Sequence, residues 1–473
     1  MSKAPQSSPA SEPPVSGLIP HPSSFDLIIL GSGPAGYIAA ERAGAKGQRV
    51  LLVEKARLGG VCLNCGCIPS KALLYAAKRY YEATHGAAYG LQVAQASFDF
   101  LQAQAHKTQV MDTLRKGIAG LMKKHHVDVV TGSATLQAGR RVAVGDQIFT
   151  GTNILLATGS SPARPPIPGH DLPHVVDSTG ILNLTALPKQ LVIIGGGIIG
   201  CEFACCFGSL GIPVTVIEML PEICPTVDAD LAKILRTELA RKNVTFHTGA
   251  KVEGITATDV AFSVDGKPQR VPADCVLVAT GRRPNVRGLG LESLQVDFDD
   301  RGVRIDDRCA TNIPGLWAAG DVTGRTALAH AASRMAEVVA HNLTGRADHM
   351  RYDAIAGVIY TTPEVATVGL TETQAKSRGL PVRAAKLPLS VSGRFLAEHA
   401  EGRGLVKVVV HADTGVLLGV HMLGGACSEM IFGAAAMIET EFRVTEIEDL
   451  VFPHPTASEA IRDTILALGP ASH

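Results

Sequence analysis

The sequence predicts an α/β protein made of two similar βαβ units and a third domain of α+β type. The first observation is length, because a chain of 473 residues is too long to fold around one core. The second is that a strand, a glycine turn, a helix, a strand and an acid occur twice in the same order. The third is a change after about residue 351, where strand-like and helical runs alternate without that glycine pattern.

Composition indicates a soluble protein without a strongly charged partner. Hydrophobic residues make up 46% of the chain, charged residues make up 19%, and the formal net charge is zero. Without a basic surplus, no nucleic-acid partner is predicted. Ten cysteines in this length do not make a disulfide scaffold, and they favour a cytoplasmic setting. No apolar run has spanning length, so no membrane segment is predicted.

The first βαβ unit begins with an apolar strand at 25–30, followed by a glycine turn and a helical pattern at 37–45. A second strand at 49–54 ends in Glu54. A glycine turn alone is common in tight loops, but this order of elements is typical of a dinucleotide site. The glycines let the backbone approach a pyrophosphate at the helix N-terminus, and the acid can accept hydrogen bonds from a ribose diol. The predicted glycines are Gly31, Gly33 and Gly36.

The second βαβ unit has its turn at Gly195, Gly197 and Gly200 and its acid at Glu218. In both units 23 positions separate the first glycine from the acid, 31 to 54 and 195 to 218. Two Rossmann-like dinucleotide-binding domains are therefore predicted. A carboxylate at Glu218 suits a free 2′-hydroxyl, and Met219 and Leu220 follow where a 2′-phosphate would need arginine, so this site should take NAD(H).

Further apolar strands end in small or acidic residues that should close these units. The strands at 154–159 and 275–281 both end in Ala-Thr-Gly, which places Thr158, Gly159 and Gly281 at strand ends. Another segment, 316–321, ends in Asp321, which could hold a polyol hydroxyl or cap a helix at 328–340.

The chain divides into five predicted segments. Residues 1–24 are rich in serine and proline, lack the apolar core of a signal peptide and are predicted to be a disordered tail. Residues 25–155 and 283–350 form the first dinucleotide domain with its central part, and 156–282 form the second, entered through a proline-rich linker at 161–169. Residues 351–473 form the third domain.

Three cysteines within six residues, Cys62, Cys65 and Cys67, stand out before a helical run at 72–77. A zinc site would need a second cluster of ligands at suitable spacing, and none follows. A redox pair needs only two cysteines that can meet beside an electron acceptor. Four other cysteines, on or near the helix after the second glycine turn, could suggest a metal site, but packing of small residues against the sheet is favoured, and no metal is predicted: Cys201, Cys205, Cys206 and Cys224.

A histidine near the C-terminus, His454, stands between two prolines with Glu459 five residues on. The prolines stiffen the backbone, and the glutamate could orient the imidazole ring of a proton-transferring residue. A surface turn that caps a helix at 458–468 explains the same residues, and both interpretations stay open on chemistry alone.

Together these motifs resemble the flavin disulfide reductases, and within them the dihydrolipoyl dehydrogenase family. The resemblance extends from about residue 25 to 468 and is most specific at 59–71 and 454–459. It implies FAD in the first site, NAD in the second and a C-terminal dimerisation domain. It also implies a Cys62–Cys67 disulfide, in which Cys62 exchanges with substrate and Cys67 faces the flavin.

The resemblance also assigns the remaining site residues. Lys71 would lie near the flavin ring, and Glu202 would border the nicotinamide. His454, oriented by Glu459, would act as base on a substrate thiol at the disulfide of the partner subunit, so the active site would need a homodimer.

The implied reaction is oxidation of dihydrolipoyl groups with reduction of NAD+ to NADH. The implied partner is a lipoyl-bearing protein of a 2-oxoacid dehydrogenase or glycine cleavage complex. One alternative is an NADH-dependent reductase of another low-molecular-weight disulfide, and another is a non-catalytic flavoprotein scaffold. Three features depart from the family pattern. Cys65 could scramble the disulfide, but an inert buried thiol is favoured, and Phe452 stands where many relatives carry histidine. The serine- and proline-rich tail is extra, and no function is assigned to it.

Overall fold

The computed structural model describes residues 24–400 and 402–469. The predicted tail at 1–24 therefore lies outside the described residues, apart from Ser24, which already belongs to the first strand. The strands are β1 Ser24–Leu30, β2 Val50–Glu54, β3 Asp128–Thr131, β4 Ala134–Gln137, β5 Arg141–Val144, β6 Gln147–Leu156, β7 Ser160–Pro162, β8 Val175–Val176, β9 Leu191–Ile194, β10 Val214–Ile217, β11 Val244–His247, β12 Ala250–Ile255, β13 Asp259–Val264, β14 Lys267–Pro272, β15 Cys275–Val278, β16 Arg282–Pro284, β17 Phe298–Asp299, β18 Gly302–Val303, β19 Leu316–Ala318, β20 Gly357–Ile359, β21 Glu364–Gly369, β22 Val382–Pro388, β23 Leu405–His411 and β24 Leu417–Gly424.

The helices lie between these strands and cover their sheets. They are α1 Pro34–Ala45, α2 Gly60–Cys65, α3 Cys67–Thr84, α4 Phe100–Lys124, α5 Ile198–Ser209, α6 Ala229–Ala240, α7 Ala329–Leu343, α8 Glu372–Ser377, α9 Gly393–Glu398, α10 Cys427–Glu439, α11 Val444–Glu448 and α12 Glu459–Leu466. Short 3₁₀ turns occur at Ala87–Tyr89, Ile181–Asn183, Glu292–Leu294, Asp321–Thr323 and Leu389–Val391.

The first sheet has the order β3-β2-β1-β6-β5-β4, and β19 also pairs with β6. Its central strands, β1, β2, β3, β6 and β19, run parallel, and β4 and β5 extend it in antiparallel fashion. Because helices cover both faces, β1 and β2 are almost continuous runs of buried Leu, Ile and Val. Small alanines on one face of α1 let it pack closely against α7.

The second sheet is parallel throughout, in the order β11-β10-β9-β15-β8. A three-stranded antiparallel meander, β12-β13-β14, stands beside it and had no counterpart in the sequence prediction. The two large sheets are joined by a short antiparallel ribbon, in which β7 pairs with β16. The chain enters the second sheet after β7 and leaves it through β16, before β19 returns to the first sheet. The proposed linker at 161–169 therefore begins inside β7.

The third sheet is antiparallel, in the order β20-β21-β24-β23-β22. Helices α10 and α12 pack on it around a separate core that includes Val408, Val420 and Ile461. The predicted fold class is confirmed: two Rossmann-like units are followed by an α+β domain. Helix ends differ from prediction by several residues, most for the helical run predicted at 72–77, which lies within the longer helix α3, Cys67–Thr84.

Candidate active site

The first glycine turn is shaped by backbone contacts that exclude side chains. Gly31 has φ +101°, and a Cβ there would lie 2.4 Å from the carbonyl oxygen of Ala157. A Cβ on Gly36 would lie 1.8 Å from the carbonyl oxygen of Gly31, so helix α1 can approach β1 this closely only with glycine. Gly33 is the N-cap of α1 and is followed by Pro34, the residue type favoured at the first helical position.

The second glycine turn repeats this geometry. Gly195 has φ +109°, and a Cβ added there would collide with Ala279, just as one added to Gly31 would collide with Ala157. A Cβ added to Gly200 would collide with Gly195. Gly197 is the N-cap of α5, and no described atom outside its own neighbours lies within 4 Å of the position of its Cβ. The middle glycine therefore leaves open space at the helix N-terminus, where the other two maintain close packing.

The two predicted acids occupy equivalent places. Glu54 accepts hydrogen bonds from Ser32 N (2.9 Å), Ser32 Oγ (2.6 Å) and Ala56 N (2.8 Å). Glu218 accepts from Gly196 N (2.6 Å) and Leu220 N (2.7 Å). Each carboxylate thus joins its glycine turn to the loop beyond the next strand. Both acids line the same cavity. Each carboxylate can accept further hydrogen bonds there, and Glu218 can accept more than Glu54 because fewer of its acceptor positions are used.

The other predicted strand-end residues gather at the same edges, because parallel strands end together. Thr158 exchanges hydrogen bonds with Asn285: its Oγ1 donates to the Asn285 carbonyl (2.9 Å), and Asn285 Nδ2 donates to the Thr158 carbonyl (2.8 Å). Gly159 and Gly281 have positive φ angles of +69° and +113°. Asp321 follows β19 and accepts a 2.5 Å hydrogen bond from Ser160 Oγ. The alternative role of Asp321 as a cap is wrong, because the N-cap of α7 is Leu328.

Cys62 and Cys67 form a disulfide, with Cα atoms 4.6 Å apart. Cys62 lies in α2 and Cys67 is the first residue of α3. The start of α2 is fixed to the first glycine turn, since Gly59 N donates to the Ser32 carbonyl at 3.1 Å and a Cβ on Gly60 would lie 2.5 Å from Gly33 Cα. The disulfide is thereby placed beside the first dinucleotide turn.

Cys65 is free and half-buried, so it is less enclosed than predicted. Partial burial raises the pKa of its thiol, against the opposing influence of Arg282 and a hydrogen bond with Thr179. Cys65 therefore remains largely a thiol at neutral pH, which is consistent with the predicted inert role.

Lys71 and Glu202 form an ion pair that the sequence analysis did not predict. Lys71 lies on α3, one turn after Cys67, and its Nζ is 2.8 Å from Glu202 Oε2. Glu202 is buried on α5 and also accepts a hydrogen bond from the backbone N–H of Tyr360 at 3.0 Å. The Tyr360 ring lies 4.6 Å from Lys71 Nζ. Helix α3, helix α5 and the residue just after β20 thus meet at this ion pair.

His454 and Glu459 also lie together, but elsewhere. His454 Nδ1 is 2.9 Å from Glu459 Oε1, and the second carboxylate oxygen accepts from Thr456 N at 2.9 Å. Both hydrogen bonds lower the pKa of Glu459, and the one from Thr456 has the larger effect. The His454 side chain is 80% exposed, and neither residue is among the described residues that line the cavity of the disulfide. His454 does not cap α12, whose N-cap is Ser458.

One cavity of about 3010 Å³ connects the two glycine turns, the disulfide and the Lys71–Glu202 pair. It suits two dinucleotides on structural grounds. Both helix N-termini open into it, and each N-cap is a glycine without a side chain to cap the helix, so backbone amides there are available to phosphates. In the described part of the chain, no group of three or more His, Cys, Asp or Glu side chains could hold a metal ion. The described helices also include none long and apolar enough to cross a membrane.

This fold and site define a class of oxidoreductase in which a cysteine pair and two dinucleotides act together. Residues 25–336 match the model of the pyridine nucleotide-disulphide oxidoreductase family, and 355–465 match its dimerisation domain. The chain belongs to this family. It is an enzyme, a flavin-dependent disulfide oxidoreductase that uses FAD and NAD.

Its relatives specify the class further. The chain is 38% identical to a dihydrolipoyl dehydrogenase of Bacillus subtilis, over 96% of this chain and 98% of that protein. It is 40% identical to a dihydrolipoyl dehydrogenase of Pseudomonas aeruginosa, over 94% and 98%. Among solved structures, the flavoprotein disulfide reductase RclA of Escherichia coli has a TM-score of 0.83 at 30% identity, covering 93% of this chain and 99% of that one.

Proposed function

We propose that the protein oxidises dihydrolipoyl groups to lipoyl groups and reduces NAD+, with FAD at the first glycine turn and NAD at the second. The observation that carries this proposal is the Cys62–Cys67 disulfide in the wall of a cavity shared by both turns. The relatives named dihydrolipoyl dehydrogenase support the choice of substrate. When bound, FAD would supply the two-electron redox chemistry that links the dithiol to the nicotinamide.

His454 is the proposed base. A carboxylate with a lowered pKa is ionised at neutral pH and can only accept hydrogen bonds, so Glu459 fixes the proton on Nδ1 of the imidazole. Nε2 is then left as an acceptor that can take a proton from a substrate thiol. Because a dihydrolipoyl thiol is mostly protonated near neutral pH, this transfer produces the thiolate that exchange requires.

The two cysteines have different environments that fit different tasks. The substrate thiolate attacks Cys62 and forms a mixed disulfide, and the second substrate thiol resolves it to release the cyclic lipoyl disulfide. Cys67 becomes the leaving thiolate. As the first residue of the 18-residue helix α3, it is stabilised as an anion by the positive end of the helix dipole.

Lys71 and Glu202 are proposed to set the local electrostatic potential at the redox centre. The lysine supplies a fixed positive charge one helical turn from Cys67, and the buried carboxylate of Glu202 keeps it in place. Thr158, Gly159 and Asp321 are proposed to contact FAD, and Gly281 to contact NAD, because they line the cavity at the strand ends of their units.

A homodimer is proposed as the working form, since the chain carries the family's dimerisation domain. In the described chain the exposed His454 is outside the cavity, so a second copy would be needed to bring such a histidine to the disulfide. The proposed partner is a lipoyl-bearing protein of a 2-oxoacid dehydrogenase or glycine cleavage complex. Eight free cysteines in the described residues favour a reducing, cytoplasmic setting.

A second candidate is an NADH-dependent reductase of another low-molecular-weight disulfide. The likeness to RclA, a disulfide reductase, favours it. Phe452, where many dihydrolipoyl dehydrogenases carry histidine, is the residue that could alter substrate choice. A non-catalytic scaffold is less favoured, because it would not need the disulfide or the hydrogen-bonded His454–Glu459 pair.

The deciding experiment is a substrate comparison with the purified, FAD-loaded protein. We expect dihydrolipoamide and NAD+ to give NADH in stoichiometric amount, and we expect low rates when NADH is offered with glutathione disulfide or similar compounds. The proposal fails if dihydrolipoamide gives no NADH while another disulfide is reduced rapidly. If neither reaction occurs although FAD is bound, the scaffold alternative holds.

The assignment of NAD to the second turn gives a separate prediction for Gly197→Ala. An added methyl would fit the protein itself, because φ is −73° and described atoms leave the space open, but it would occupy the path of the pyrophosphate. Overpacking costs about 1–3 kcal/mol, so NADH binding should weaken roughly five- to 150-fold. Fluorescence titration measures this change, FAD content should be unaffected, and Gly117→Ala in α4 is the matched control. Unchanged NADH affinity would move the nucleotide away from this turn.

A further inference from the structure

A second pair of cysteines lies beneath the second glycine turn, away from the redox disulfide. Cys201 is in the first turn of α5 and Cys224 is in the loop after β10, and both are buried. Their sulfur atoms are 3.6 Å apart. The Cys201 thiol donates to the carbonyl oxygen of Gly196 at 3.3 Å, and the Cys224 sulfur lies 3.7 Å from the same oxygen. The pair therefore shares an acceptor in the turn itself.

The backbone holds Cys224 in this position. Its φ of +48° is in the left-handed region, which is uncommon for a residue with a side chain. Its backbone N–H also donates to Gly196 O, at 3.0 Å. Only 1% of Cys224 is exposed, but this residue lies in the wall of the large cavity with Glu218 from the same loop, and Cys201 does not, so Cys224 is the cysteine of the pair nearer to the cavity.

We propose that Cys201 and Cys224 are a modification site, oxidised to a disulfide by a hydroperoxide, and that this disulfide weakens nucleotide binding at the second turn. The cysteine at the cavity wall is attacked first: Cys224 and the peroxide give a sulfenic acid and water, or an alcohol from an organic peroxide. The Cys201 thiol then attacks the sulfenic sulfur, the S–S bond forms and a second water leaves. Two electrons pass from the sulfurs to the peroxide oxygens.

The chemistry of Cys201 fits the second step. The pKa of Cys201 is raised well above the usual value, mainly by its hydrogen bond with Cys224 and next by burial. Cys201 therefore remains a thiol in the resting protein. Attack on a disulfide requires a thiolate, so Cys201 does not react by itself with substrate disulfides in the cavity. It reacts when an electrophilic sulfur is formed beside it.

The disulfide would disturb the nucleotide site through Gly196. A bond length of about 2.05 Å requires the sulfurs, now 3.6 Å apart, to approach by about 1.5 Å. Both thiol contacts to the Gly196 carbonyl would be lost. The N–H of Gly196, which belongs to the preceding peptide unit, donates to Glu218 at 2.6 Å, so a displacement of Gly196 also moves the acid that is proposed to bind the ribose. This effect on binding rests on the proposed NAD assignment, whereas the disulfide itself does not.

The test uses FAD-loaded, full-length protein treated with hydrogen peroxide, with and without saturating NAD+. After alkylation and non-reducing digestion, mass spectrometry should find peptides that contain Cys201 and Cys224 joined with loss of two hydrogens. Fluorescence titration should show an increase in the NADH dissociation constant of about tenfold, as expected for loss of one hydrogen bond to a charged group. Dithiothreitol should restore affinity, and bound NAD+ should slow the oxidation.

Cys224→Ala and Cys201→Ala should lose both the linked peptide and the change in affinity. Cys206→Ala, a buried cysteine on the same helix, should keep both. Absence of the linked peptide in the wild type overturns the proposal, as does a change in affinity that survives in Cys224→Ala. A linked peptide with unchanged NADH affinity refutes the effect on binding. Because dihydrolipoamide is not used, failure of the proposed substrate would not affect these results.

Discussion

Cys67→Ser is expected to reduce dihydrolipoamide oxidation to background. Serine cannot form the disulfide with Cys62, so the substrate thiolate has no sulfur–sulfur bond to attack and its two electrons cannot enter the protein. The measurement is NADH formation from dihydrolipoamide and NAD+. Oxidation of NADH by ferricyanide, which does not need the disulfide, should continue and shows that both nucleotides still bind.

The matched control is Cys65→Ser, which changes a free thiol between the paired cysteines and should keep most of the activity. A spectroscopic measurement separates the roles of the pair. Half-reduced wild-type protein without oxygen should show a long-wavelength thiolate-to-flavin absorption band, and Cys67→Ser should lack it. A band that survives in Cys67→Ser would assign the flavin-facing sulfur to another cysteine.

His454→Gln is expected to lower dithiol oxidation by about 10²–10⁴-fold, the usual contribution of a general base. Glutamine can keep a hydrogen bond to Glu459 but cannot accept a proton at neutral pH. FAD content and NADH oxidation by ferricyanide should remain normal, because His454 lies outside the cavity of its own chain.

Two further variants define the role of the histidine. His106→Gln, at an exposed position on α4, should have no effect. Glu459→Gln should show a smaller loss than His454→Gln, because the imidazole remains but loses the ionised partner at 2.9 Å that fixes its tautomer. A near-normal rate for His454→Gln would remove this residue from the mechanism.

The parts of the site whose residues lie within one short segment of the chain could be predicted from the sequence. A glycine turn requires glycine at Gly31 and Gly195, where φ is strongly positive, and the order of strand, turn, helix and acid follows directly along the chain. His454 and Glu459 are five residues apart, so their contact could be anticipated. The disulfide pairing came from the resemblance, since the three neighbouring cysteines leave more than one choice.

Contacts between distant segments could not be predicted in this way. Lys71 and Glu202 are 131 residues apart, and the Tyr360 N–H that completes their arrangement comes from the residue just after β20. Ser160 and Asp321 are 161 residues apart. Asp321 was open to two interpretations, because an aspartate shortly before a helix often caps it. Only the packing of distant segments in the folded chain decides such pairs.

The short ribbon between β7 and β16 has a consequence for how the molecule could have evolved. Both covalent crossings between the first and second sheets run through these adjacent strands. The portion that lies between them is therefore an insertion whose ends are already neighbours, which is the arrangement in which one domain can be exchanged for another with least disturbance to its host. The inserted portion between β7 and β16, and with it the preference for one pyridine nucleotide, could thus be exchanged as a unit, while the cysteine pair in the rest of the chain kept its chemistry.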